Sequence, residues 1–86
     1  MSAIDDIISG IDTVGEKVTE TTTATSAVLQ ETEEALGQAE ALGATAAIEG
    51  LTQVKEQLEA LVTQISAFSG AVDEAQTTAK AVAEGT

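Results

Sequence analysis

The only abundant titratable groups in this chain are carboxylates. Asp12, Glu16 and Glu20 lie four apart, so on a helix they form one acidic column, and Glu31, Glu33 and Glu34 cluster further along. Ladders of carboxylate oxygens suit hard cations such as Ca2+. The Asp-x-Asp-x-Asp-Gly spacing of a calcium loop does not occur, however, and these acids fall on faces opposite the apolar positions. A solvated acidic face is therefore expected, and no metal ligand is assigned. The hydroxyls of Thr21, Thr25 and Thr32 raise a second possibility, because they fall among apolar positions. Bonding back to the carbonyl one turn earlier is the preferred reading, ahead of a polar layer that specifies register or a ligand site between helices. The chain has no Cys and no His, which removes thiolate and imidazole chemistry, and no hydroxyl has a base beside it. No catalytic residue and no cofactor is expected.

Fifteen acidic residues stand against three basic ones, a net charge of -12. Nucleic-acid backbones and anionic membrane surfaces both require cationic patches, so this balance argues against either as a partner. Each Lys precedes a Glu by three or four residues: Lys17 and Glu20, Lys55 and Glu59, Lys80 and Glu84. Such exposed pairs contribute about 0.2–0.5 kcal/mol at best. Acidic repulsion dominates, and salt should stabilise the fold by screening it.

The elements that carry these groups are helices. There is no Pro, and 43% of the 86 residues are apolar, although sixteen of those are Ala and Phe68 is the only aromatic. The core must be thin and aliphatic, within one domain covering residues 1–86. The Thr-rich run from Thr19 to Thr25 is the main dissent, since β-branched side chains lose rotamer freedom in a helix. Steps of three and four from Ile4 trace a seam through Ile7, Ile11, Val14, Val18, Thr21, Thr25, Val28, Thr32, Ala35, Ala39 and Leu42. A further column, Ile8, Leu29 and Leu36, widens it. Ser2 with Asp5 suggests an N-terminal cap, and Asp5 and Asp6 suit the positive end of the helix dipole. Gly10, Gly15 and Gly37 indicate close packing or local looseness within this helix.

A second seam runs through Leu51, Val54, Leu58, Leu61, Ile65, Phe68, Val72, Ala75, Ala79 and Val82, widened by Val62 and preceded by Ile48. It is out of step with the first. Carried past Leu42, the first alternation would reach Ala46, Glu49, Gln53, Glu56 and Ala60. The chain should therefore reverse at Leu42, Gly43, Ala44 and Thr45, with Gly43 in the left-handed conformation and Thr45 as the next N-cap. This predicts an all-α antiparallel hairpin with helices over about residues 3–42 and 45–83. Gly50 then lies inside the second helix, where it permits close approach of the first. A rod of this kind buries one strip per helix, so Ile8, Leu29, Leu36 and Val62 are expected to stay partly exposed and to invite a partner. Dimerisation into a four-helix bundle would cover them. A homodimer is the first expectation and a related helical hairpin or effector domain the second.

No window approaches a membrane span, and the opening MSAIDDIISGID lacks the basic start and unbroken apolar run of a cleavable signal peptide. The layout, with its mid-chain Ala41-Leu42-Gly43, resembles the small acidic hairpins of the Trp-x-Gly superfamily. The stretch LGATAAIEGLTQVKEQLEALVTQI is similar to short actinobacterial hairpin proteins of unknown function. The resemblance implies a non-enzymatic interaction protein linked to type VII secretion, either an accessory or a chaperone for a secreted partner. Ala41 stands where the superfamily has its Trp, and Lys80 stands four residues before Glu84 where the Tyr of the C-terminal export signal would be. Export would then need a signal-bearing partner. The alternative is a cytoplasmic structural or regulatory coiled-coil adaptor unrelated to secretion. The expected location is accordingly the cytoplasm, or the exterior by a type VII-like route.

Overall fold

A computed structural model describes residues 2–85 and places them in two helices, α1 over Ala3–Leu42 and α2 over Thr45–Gly85. Ser2 caps α1: its backbone is extended and its Oγ accepts a hydrogen bond from the Asp5 N–H at 3.3 Å. Asp5 and Asp6 in the first turn face the positive end of the helix dipole. The Thr-rich run stays helical. Thr19, Thr21, Thr22 and Thr23 each donate to the carbonyl four residues back, which replaces solvent as partner for the hydroxyl.

α1 ends on glycine. Gly43 has φ 67° and ψ 27°, the only positive φ among the described residues. Its N–H donates to Glu40 O at 3.1 Å, and the Ala44 N–H reaches back to Ala39 O at 3.0 Å. These paired bonds satisfy two of the carbonyls that a helix terminus leaves open, and they require a residue that tolerates left-handed backbone. The chain then reverses at once. Thr45 is the first residue of α2, not its cap: the Ile48 N–H bonds to Ala44 O at 2.9 Å, so Ala44 holds the capping position. α2 also runs to Gly85, slightly beyond the expected end near residue 83.

The product is a rod of 64 × 17 × 12 Å with a radius of gyration of 19.2 Å, against about 12 Å for a compact chain of this length. Its solvent-accessible surface is 5981 Å², about a quarter more than the roughly 4,700 Å² expected for a compact 8.7 kDa chain. Among the described residues Ile65 is the sole large apolar side chain that is buried; Ala39 and Ala79, elsewhere along the rod, are also buried, and Thr25 and Thr32 are as buried as these. Thr32 donates to Val28 O at 2.8 Å, so its hydroxyl is satisfied within its own helix.

Between the helices, α1 turns inward Ile4, Ile8, Ile11, Gly15, Val18, Thr25, Leu29, Thr32, Leu36 and Ala39. α2 answers with Ile48, Leu51, Lys55, Leu58, Val62, Ile65, Val72, Gln76, Ala79 and Ala83. Both sets step by four and three, with gaps at the exposed Thr22 and Ser69. A Cβ at Gly15 would meet Val72 Cγ1 at 3.6 Å, which marks the close approach of the two helices. Gly50 does not do this: nothing lies within 4 Å of where its Cβ would be, because it points away from α1.

The glycines therefore separate by thermodynamic sign. Gly43→Ala should destabilise the hairpin by about 1–2 kcal/mol, because alanine must enter the left-handed region. Gly37→Ala, mid-helix with open space around it, should stabilise by up to about 1 kcal/mol. Chemical denaturation of the two variants against the parent chain checks both signs.

Candidate functional site

The expected seams each combine two columns, and the hairpin separates them. One column from each seam faces the other helix: Ile4, Ile11 and Val18 on α1, and Leu51, Leu58, Ile65 and Val72 on α2. Its companion does not. Ile7, Val14 and Val28 on α1, and Val54, Leu61 and Phe68 on α2, are exposed, together with Leu42 at the turn and Val82 near the C-terminal end. The positions expected to widen the stripe, Ile8, Leu29, Leu36 and Val62, sit at the helix interface instead and are half-buried. These four stay partly exposed, as expected, but the companion columns are the more exposed.

Geometry explains where the exposed columns go. A residue three positions after an inward one lies about 60° round the helix on one side, and a residue four positions after lies about 40° round on the other. An antiparallel pair is related by a two-fold axis perpendicular to the plane of the helices, and that operation keeps each face on its own side. Columns displaced equally from the two seams therefore emerge together. Val14 and Thr21 of α1 accordingly line one groove of about 420 Å³ with Leu61 and Phe68 of α2, floored by Val18 and Ile65. Among the described residues, all eight large apolar side chains that are exposed belong to the two columns of this face.

Charge is sorted by the same rotation. The columns bordering the face are Ala3, Gly10, Lys17, Ala24, Glu31 and Gln38 on α1, and Gly50, Gln57, Gln64, Ala71, Thr78 and Gly85 on α2. Of the fifteen acidic residues, Glu31 alone falls within the face or its borders. The remainder, Asp12, Glu33, Glu40, Glu59 and Asp73 among them, occupy the opposite face and the outer edges. The hairpin as a whole is amphipathic, with an apolar, nearly uncharged side and a strongly anionic one.

The carboxylates of the anionic side are spread along the rod. Among the described residues no three carboxylates converge. Of the three expected Lys–Glu pairs, Lys17–Glu20 closes at 3.4 Å, with side chains 71% and 68% exposed, and contributes little in that setting. Across the helices, Gln76 Nε2 donates to Asp12 Oδ1, which pins α2 to α1 near the open end of the rod. Thr21 bonds back to Lys17 O at 2.8 Å, so its hydroxyl is already committed where it meets the groove. No helix among the described residues is long and apolar enough to cross a membrane. Comparison with protein-family models, curated proteins and solved structures finds no match for the chain.

Some of the interface between the helices was in plain view in the sequence and some was not. Lys55 and Gln76, inward and half-buried, had no apolar signal to announce them. Their one clue is spacing: they lie four residues after Leu51 and Val72, as Val62 does after Leu58.

Because the carboxylates crowd one side at a net charge of -12, the hairpin should gain stability with ionic strength. Raising salt from about 0.01 M to about 1 M shortens the screening length from about 30 Å to about 3 Å. The midpoint of thermal unfolding, followed by far-UV circular dichroism, should rise by several degrees over that range.

Proposed function

We propose that this chain is a non-enzymatic protein–protein interaction module that works by laying its apolar face against another helical chain. The observation that carries the reading is the gathering of Ile7, Val14, Val28, Val54, Leu61 and Phe68 on one side of the rod, with the acids on the other. Isolated apolar residues on a surface are ordinary, but an aligned strip of this length is a binding surface. Phe68, 67% exposed and the only aromatic, is its natural anchor, since aromatic side chains dominate interface energetics.

Within that reading, the mid-chain reversal at Gly43 and the acidic two-helix layout support a role beside type VII secretion, as an accessory or chaperone for a secreted partner. Ala41 in place of the superfamily's Trp and Lys80 in place of its export Tyr favour the alternative, a cytoplasmic adaptor unrelated to secretion.

A photo-crosslinking residue at Phe68 should yield protein adducts in the native cell, while the same residue at Glu33 on the anionic side should not. Adducts that are absent at Phe68, or equal at both sites, would remove the interaction face. Tagging the chain in a type VII-competent host separates the two settings: product in the culture supernatant supports secretion, and retention with neighbouring genes co-expressed leaves the adaptor.

A further inference from the structure

Resting on the interaction-face reading, we infer that the occupant of the face is a second copy of this chain, with Phe68 of each copy seated in the groove between Val14, Thr21 and Leu61 of the other. Charge selects the partner. A basic protein would find no acids to pair with on this face, because Glu31 is the only one there and the others are turned away. A second copy offers the same apolar surface, bordered by one lysine, Lys17, and one acid, Glu31, and keeps the other carboxylates of both copies on the outside.

Area points the same way. From Ile7 to Leu42 the face runs about 52 Å along α1 at 1.5 Å per residue. Across the 17 Å width of the rod, such a strip covers about 900 Å², comparable with the roughly 800 Å² that each partner contributes to a stable interface of standard size. The surface excess of the isolated rod over a compact chain is of the same order.

Shape supplies the register. Phe68 projects from the face beside an open groove of about 420 Å³ whose α1 wall is formed by Val14 and Thr21. A knob and a hole side by side on one surface are self-complementary under a two-fold rotation, as a closed symmetric dimer requires. Two hairpins joined in this way form a four-helix bundle with crossings near 20°. Because each copy carries the same negative charge, this association should tighten as salt rises, the reverse of what a basic partner would show.

Sedimentation equilibrium of the purified full chain tests the inference. The parent should approach twice the chain mass, and the dimer should strengthen between about 0.05 and about 0.5 M salt. Phe68→Glu should raise the dimer dissociation constant by about 30-fold or more. Thr21→Phe, which fills the groove from within its own chain, should do the same, and circular dichroism should show both variants still helical. Glu34→Gln should dimerise at least as well as the parent. A parent that stays monomeric at all concentrations, or a Thr21→Phe variant that dimerises as tightly as the parent, overturns the inference. If the parent is monomeric while Phe68 crosslinks to a different protein, the second copy is excluded and the interaction face stands. If Phe68 also yields no adducts, both fall.

Discussion

A two-helix rod can enclose one strip of each helix, and this chain carries more apolar columns than that. The rest of the structure follows from the resulting choice. The hairpin encloses the columns through Ile4 and Leu51 together with those four residues on, and it leaves outside those three residues on. On α2 the enclosed companion column is the more polar of the two, holding Lys55 and Gln76, while the one left outside holds Val54, Leu61 and Phe68. Burial within the single chain is thus not maximal. The better apolar column of α2 is assigned to the surface, and its counterpart on α1 emerges beside it because the helices are antiparallel.

The close approach of Gly15 to Val72 accompanies that choice. Gly15 presents only a hydrogen to Val72 in the second inward column of α1, and one turn further along α2 Gln76 hydrogen-bonds to Asp12 across the seam. Lys55 lies half-buried in the same interface, where a long aliphatic stem can cover apolar surface. The cost is a sparse core in which Ile65 is 8% exposed and, among the described residues, no large side chain is completely enclosed. The 40- and 41-residue helices therefore depend on the packing of their facing strips along the whole length of the rod.

The helices and their reversal were legible in the sequence because local chemistry specifies them. Ser2 caps, Gly43 accepts left-handed backbone, and the apolar register fails at the same point, so α1 begins and ends where expected. The orientation of each helix about its axis was not legible to the same degree. From Ile4, the alternation through Ile7 and Ile11 and the alternation through Ile8 and Ile11 share every second residue, and Ile7, Val14 and Val28 are no less apolar than Ile8, Leu29 and Leu36. Only the two helices jointly decide between them. For the same reason the sequence suggested Gly50 as the site of close approach, whereas the rotation adopted points Gly50 outward and Gly15 inward. The Thr-rich segment resolved as its simplest chemistry predicts for Thr21 and Thr32, which bond back along their own helix.

The central claim is that one column of each seam is enclosed by the hairpin and the other is left for a partner. The chain has no Cys, so a single introduced cysteine reports its own environment. Thr25 and Val28 lie one helical turn apart, 7% and 47% exposed. Thiol-labelling rates of Thr25→Cys and Val28→Cys, measured from dilute to concentrated protein, compare the two columns directly. The account predicts slow labelling at residue 25 throughout, and fast labelling at residue 28 in dilute solution that slows as the chains associate. Equal rates at the two sites, or a rate at residue 28 that ignores concentration, would contradict it.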